Sequence, residues 1–352
     1  MSILGNFLWR PRGVYRSIGE WAVERGGFAC LKPLPAGLLD DAAAADRWHL
    51  AELPRGKVIG DARLVATADN DVPGQLQALH GDAHPASHWA LRQARFRWPR
   101  RLYGKAVILA SAAGGNYYHW LFDGLPRLHL LKAAGLGWEN IDWFLLNEAR
   151  HRFDIKSMEM LGIPVSRLVR CSKRRVTVAD KLIVPPMPST PPGQIPPWVC
   201  EFLRQSFLPA HLVSQPGRRL YLSRRHTSKR RLGNEAAVEQ LFRQRGFEVV
   251  HPEQLSFRDQ VALFAGAAAV VGPHGAAFAN LVFAPLDVRV IELFHPKHQE
   301  PCYEKIARSL GMTYHRMVGE APGERAADRS EKLGPYSVAP DELIRLLDSQ
   351  GL

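Results

Sequence analysis

Between residues 219 and 293, short apolar runs alternate with amphipathic ones, and this rhythm limits the fold more than any other feature of the chain. Residues 219–223 (RLYLS) read as a strand. Residues 234–245 read as a helix, with Val238, Leu241 and Phe242 on one face and Gly246 as its stop. Residues 247–250 form the next strand, and Ser256 then caps a helix through Phe264, with Asp259 at a capping-box-like spacing. A small apolar strand at 268–271 passes through GPHG into a helix, AAFANLVF, and 288–293 (VRVIEL) is a further buried strand. Parallel strands need crossover connections, so this alternation predicts a doubly wound α/β sheet.

Upstream, residues 185–197 (PPMPSTPPGQIPP) hold seven prolines and no charge, which excludes a helix interior and a central strand and marks a linker. Before it the pattern is a strand at 106–111, a loop at Gly114 and Gly115, a helix from near Asn116, a strand at 141–146, a helix around 155–161, and short strands near 168 and at 181–184. Residues 1–100 carry five scattered tryptophans and many polar breaks, and their elements cannot be ordered. The 352 residues therefore divide into an N-terminal α/β domain (1–195) with an irregular beginning, a Rossmann-like domain (198–330), and a tail with a final helix at 341–347 (331–352) able to pack on either domain. Ligands of such sheets sit beyond the carboxyl ends of the strands, so two facing α/β domains would make a cleft.

Lysine and arginine exceed aspartate and glutamate by 46 − 34 = 12, so the chain attracts anions: phosphates, nucleotides, nucleic acid, acidic glycans or an anionic membrane face. Cys30, Cys171, Cys200 and Cys302 show no ligand spacing, which points to a reducing compartment without a disulfide framework or structural zinc. Arg10, Pro11, Arg12 and Gly13 interrupt the first apolar stretch, and no later one approaches the length of a membrane span. A cytoplasmic protein is expected. Phe7, Leu8, Trp9, Tyr15 and Trp21, interleaved with Arg10, Arg12 and Arg16, suit peripheral contact with anionic headgroups at the inner face of the membrane; an arm packed on the domain is the simpler reading.

Three segments carry chemistry. In AVVGPHGAAFANLVFAP (269–285), Gly272 and Gly275 are expected to permit positive φ and close ligand approach, while the amide groups of a helix from Ala276 favour a phosphate. His274 lies between the glycines, where its imidazole reaches a phosphoryl oxygen or a sugar hydroxyl, and Asn280 lies one turn on. Glu292, near the carboxyl end of VRVIEL, is placed as carboxylates that accept from a ribose diol are. In RRLYLSRRHTSKRRLGNE (218–235), Arg224 or Arg230 supplies a clamp for a diphosphate, and Asn234 and Glu235 open the next helix. In GGNYYHWLFDGLPRLHLL (114–131), a helix from Asn116 puts His119, Asp123 and Arg127 on one face at i, i+4 and i+8, pairing an imidazole with a carboxylate as a general base requires. The plainer alternative is an Asp123–Arg127 surface ion pair. Asp69-Asn70-Asp71 matches the DxD of metal-dependent sugar transfer, but the Val72-Pro73-Gly74 that follows reads better as part of a turn.

Together NYYHWLFDGLPRL (116–128), YLSRR with RRLGNE (221–235) and VVGPHGAAFANLVFAP with VIEL (270–293) resemble the inverting glycosyltransferases of family 61. The resemblance spans roughly residues 105–300 in motif order; one departure is Ala277, where the family often has glycine. It implies a GT-B fold of two Rossmann-like domains facing a cleft, a nucleotide-sugar donor held mainly by the C-terminal domain with UDP as the candidate nucleotide, inversion, no metal and no further cofactor. The implied acceptor is a hydroxyl of a glycan or lipid-linked saccharide, in cell-surface or capsular polysaccharide biosynthesis. Asp123 or His119 is then the base, with Arg224, Arg230, Asn234, Glu235, Gly272, His274, Gly275, Ala276, Asn280 and Glu292 around the donor. The competing functions are nucleic-acid binding, for which no recognised motif is present, and a non-catalytic glycan or nucleotide-sugar binder.

Overall fold

The computed structural model describes residues 6–15, 21, 30–35, 49–61, 64–76, 91, 95–111, 113–148, 152–188, 195–208, 217–227, 230–321 and 334–352. The linker stretch at 189–194 and Arg16 lie outside the described residues. The chain divides into two compact units, residues 1–202 and 203–352.

The strands of the first unit are β1 (Asn6–Leu8), β2 (Gly13–Tyr15), β3 (Cys30–Pro33), β4 (His49–Pro54), β5 (Lys57–Ile59), β6 (Leu64–Ala66), β7 (Asp71–Pro73), β8 (Arg95–Ile108), β9 (Trp143–Leu146), β10 (Leu168–Arg170) and β11 (Arg175–Val184). Its helices include α1 (Arg127–Ala133) and α2 (Phe153–Met160), and the division between units falls inside α3 (Pro197–Phe207). Among the described residues β2 pairs only with β7, and the others make a nine-stranded sheet with a spine ordered β10-β9-β8-β11-β4-β3. Its centre is parallel (β10-β9-β8-β11), but β4 and β5 run antiparallel along β11. The sheet is thus mixed, which corrects the Rossmann-like expectation for this half. The cause is local. Arg55, at φ +50°, and Gly56 kink the chain so that β4 and β5 follow one another along β11, and β5 and β6 are separated by only four residues, too few for a crossover.

Alternation sorts the side chains into two cores. Val58 and Val65 join one cluster with Leu102, Ala106, Ile108 and Leu182, while Ile59, Leu64 and Ala66 join the other with Trp9, Phe96 and Val176. The Asp69-Asn70-Asp71 segment is a hairpin turn: Thr67 N–H donates to the Asp71 carbonyl, and Asn70 takes φ +70°. Asn70 Oδ1 accepts from the Trp9 indole at 3.0 Å, and Asp71 Oδ2 accepts from the Trp21 indole at 3.0 Å. Trp9, Tyr15 and Trp21 are buried, so these aromatics of the N-terminal segment pack into the unit, while Leu8 is exposed.

The second unit contains β12 (Arg218–Leu222), α4 (Glu235–Gln244), β13 (Glu248–Val250), α5 (Phe257–Ala265), β14 (Ala267–Pro273), β15 (Arg289–Phe294), α6 (Cys302–Ser309), β16 (Thr313–Val318) and α7 (Pro340–Ser349). All five strands are parallel, in the order β13-β12-β14-β15-β16. Residues 276–283 form a 3-10 helix rather than the expected α-helix. Asn280 explains part of this, because its Nδ2 donates to the Ala277 carbonyl three residues back and so competes with i→i+4 closure. Tyr221 stacks on Phe242 at 4.4 Å, and Val271, Ile291, Leu343 and Leu347 complete a core that includes the final helix.

Gly272 lets β12 and β14 approach: a Cβ there would lie 2.7 Å from the Leu222 carbonyl oxygen. Gly272→Ala should cost the second unit about 1–3 kcal/mol through overpacking. The expected readout is a lower urea midpoint with reduced hydrogen-exchange protection in β12 and β14; an unchanged midpoint would contradict the close approach.

Candidate functional site

The strand order of the second unit reverses between β12 and β14, and the crevice beyond their carboxyl ends is where a doubly wound sheet receives its ligand. Arg224 follows β12 and His274 follows β14, so the fold brings together two residues fifty positions apart in sequence. The Arg224 guanidinium lies against Gly275, where a Cβ would be 2.0 Å from Nη1. Gly275 has φ −177°, extended backbone, and Gly272 lies within β14 with no positive φ. Both glycines thus provide space, which corrects the expectation that they supply unusual backbone conformations.

Burial, then the neighbouring Arg230, lowers the Arg224 pKa. Arg230 itself takes φ +51°, and its Nη1 lies 2.8 Å from His298 Nε2. Burial and the Arg230 charge push His298 down to about 4, so it is a neutral acceptor for that guanidinium at pH 7. The Arg230 Nε is buried without a hydrogen-bond partner among the described residues. Two closely placed guanidinium groups are the donor type that suits an anion.

His274 is walled by rings: Phe294 at 5.2 Å, His298 at 5.1 Å and Tyr303 at 5.1 Å. Its Nδ1 is 2.5 Å from Glu292 Oε1, and Tyr314 on β16 donates to Glu292 Oε2. Glu292 is fully buried with both oxygens occupied, so it meets His274 and not, as expected, a ribose diol. Burial pushes Glu292 up to about 8 and His274 down to about 3. Between these limits the pair keeps one proton beyond the imidazole's own.

The remaining expected donor residues are structural in part. Glu235 Oε1 accepts from the Tyr221 hydroxyl at 2.9 Å and the Arg224 N–H at 3.2 Å, holding the loop that carries Arg224; its buried Oε2 has no hydrogen-bond partner among the described residues. Asn234 Nδ2 donates to the Val338 carbonyl at 2.8 Å, and Asn280 Nδ2 to Gln260 Oε1 at 2.8 Å, so both tie elements together. Ala276 opens the 3-10 helix, with Gly275 as its cap. Residue-by-residue reading missed His298, Tyr303 and Tyr314; the run HPKHQE just after β15 (295–300) was the available signal.

In the first unit, Asn116 Oδ1 caps a helical turn (Tyr117–His119) by accepting from Tyr118 N–H. The turn continues as a π-helix (Trp120–Gly124), closed by Leu125 N–H donating to the Trp120 carbonyl. Pro126 has no N–H to continue an α-helical ladder, and the Trp120 ring lies over Gly124, where a Cβ would be 2.6 Å from the indole. His119 Nδ1 and Asp123 Oδ2 lie 2.7 Å apart, with the carboxylate buried and the imidazole part-exposed. The expected pair is formed. Arg127, expected on the same exposed face, is buried and donates to the Ile108 and Ala110 carbonyls. Burial pushes it down to about 10, against the favourable charge of Asp123.

The chain is thus an α/β protein with an imidazole–carboxylate pair in one unit and two neighbouring guanidinium groups at the doubly wound switch point of the other. The Glycosyltransferase 61 family model matches residues 117–291, from the helical turn that precedes the π-helix to a point within β15. The chain belongs to glycosyltransferase family 61. A beta-1,2-xylosyltransferase of Arabidopsis thaliana is 33% identical over 63 residues, 18% of this chain and 12% of that protein. The chain therefore aligns with only a small part of that relative.

Two outcomes test the site. Gly275→Ala should displace the Arg224 guanidinium and weaken pyrophosphate binding by about tenfold or more, the loss of one charge-assisted hydrogen bond; undiminished calorimetric affinity would remove Arg224 from the site. For stability, a carboxyl that ionises near 4.5 when unfolded but near 8 when folded contributes stability that is complete below about 4.5 and lost as pH rises through 8. Glu292→Gln should flatten that part of the urea-midpoint profile.

Proposed function

We propose that this protein is an inverting glycosyltransferase that moves a sugar from a nucleotide-sugar donor, with UDP as the candidate nucleotide, to a hydroxyl of a glycan or lipid-linked acceptor. The two guanidinium groups of Arg224 and Arg230, with the neutral His274 beside them at the β12–β14 switch point, carry this reading, together with membership of family 61. In this proposal the two units take the two roles of a GT-B enzyme, donor binding falling to the second and acceptor activation to the first. Asp123 or His119 removes the acceptor hydroxyl proton as the oxygen attacks the anomeric carbon, and the bond to the nucleoside diphosphate breaks on the opposite face.

Charge develops on the departing diphosphate. Fixed guanidinium groups and the His274 ring stabilise it without reorganising during the step. Lys plus Arg in excess suits an acidic polysaccharide or an acceptor at an anionic membrane face, in cell-surface polysaccharide assembly at the cytoplasmic side. Among the described residues no helix is long and apolar enough to cross a membrane, so membrane contact in this proposal is peripheral.

A panel of nucleotide sugars should single out one donor that raises thermal stability, by about 2.7 kcal/mol at a hundred times its Kd. With that donor, Asp123→Asn should lower transfer by about 10²–10⁴-fold while leaving donor binding unchanged. Equal rates would remove Asp123 from the mechanism, and no stabilisation by any donor would overturn the transferase reading in favour of a glycan- or nucleic-acid-binding protein.

A further inference from the structure

We propose that Tyr314 and Glu292 are positioning residues, forming a buried hydrogen-bonded chain that holds the His274 ring so that its Nε2 presents a hydrogen to a phosphoryl oxygen. The inference rests on the donor-binding role proposed for this site and adds what fixes the donor and acceptor sense of its imidazole.

The chain runs across three neighbouring parallel strands. Tyr314 on β16 donates to Glu292 Oε2 on β15, and Glu292 Oε1 meets His274 Nδ1 just past β14. The register places Tyr314 beside Val290 and Arg316 beside Glu292, so the tyrosine reaches the carboxylate from two residues along the neighbouring strand. With the Tyr314 hydroxyl donating to Oε2, the proton of Glu292 is assigned to Oε1, between that oxygen and His274 Nδ1. An imidazole whose Nδ1 receives that proton, or shares it, has its own hydrogen on Nε2. Among the described residues nothing hydrogen-bonds Nε2, which leaves this nitrogen for a ligand. Loss of the shared proton inverts the arrangement: Nδ1–H then donates to the carboxylate, and Nε2 becomes a bare acceptor that repels a phosphoryl oxygen.

The groups around the pair decide how long the proton is kept. Arg224, Arg230 and His298 face His274 from the loops, and Glu300 and Tyr303 from the segment opening α6. Arg316 favours the ionised Glu292 and Glu304 opposes it, while the Tyr314 hydrogen bond also favours ionisation. Burial outweighs these and keeps the carboxyl protonated to about 8.

UDP is a suitable probe because its phosphates are essentially ionised above about pH 7. Calorimetry on the full chain should show UDP affinity holding to about pH 8 and then falling by about tenfold per unit, as loss of one linked proton requires. Glu292→Gln, an uncharged isostere that still donates to Nδ1, should keep affinity at pH 7 within about threefold and abolish the fall. Tyr314→Phe removes an interaction favouring the ionised carboxyl and should move the fall to higher pH. A wild-type profile flat to pH 9.5, a fall that persists in Glu292→Gln, or a fall moved downward in Tyr314→Phe overturns the proposal. Nitrogen-15 chemical shifts of His274 in the unliganded protein give a second readout. A hydrogen on Nε2 at pH 7 is expected, and one on Nδ1 with bare Nε2 refutes the chain. If UDP fails to bind at any pH while the shifts show Nε2–H, the donor-site reading fails and the positioning chain stands.

Discussion

Everything chemical in the second unit depends on how closely β14 lies against β12. With hydrogen in place of a side chain at Gly272, the Leu222 backbone fits beside it, and the ends of the two strands then deliver Arg224 and His274 to the same crevice. Gly275 repeats the device one step further out, where its missing side chain admits the Arg224 guanidinium. Two absent side chains set the width of the site, and the charges fill it. Crowding Arg224 and Arg230 together is electrostatically unfavourable, so the surrounding fold holds repulsion that an anion would relieve.

The first unit solves a different problem. An uninterrupted α-helix from Asn116 would have continued the face shared by His119, Asp123 and Arg127. The π-turn widens the backbone just where Pro126 withholds a donor, and the two polar groups separate in fate: Asp123 stays against His119, while Arg127 turns inward to hold the carbonyls at the end of β8. A buried cation fastened to backbone oxygens fixes the helix origin relative to the sheet without an exposed side chain.

What the sequence made legible follows the strength of local signals. The second unit repeats a strand and an amphipathic helix with caps such as Ser256 and stops such as Gly246, so its elements from β12 to β15 were readable within about two residues, whereas α6 and β16 were not anticipated. β8 was read only in its last part, because its first eleven residues (RFRWPRRLYGK) are too charged to announce a strand; pairing with β1 and β11 creates it. The mixed order of the first sheet depends on contacts far apart in sequence, which periodicity does not encode. At the site, His119 with Asp123 and His274 with Arg224 could be anticipated from motifs and strand ends. The role of Glu292 could not, since the hydroxyl that occupies its second oxygen comes from Tyr314, twenty-two residues later. Nor could His298, whose partner Arg230 precedes it by sixty-eight positions.

The loop bearing Arg230 is fastened by residues made much later in translation. Tyr336 exchanges backbone hydrogen bonds with Arg231 and Gly233, its hydroxyl donates to the Leu293 carbonyl, and Val338 holds the Asn234 side chain. A ribosome that has finished β12 through β16 has therefore made a sheet whose cationic loop still lacks its clasp. The geometry of that loop thus depends on Tyr336 and Val338 as much as on the strand it follows.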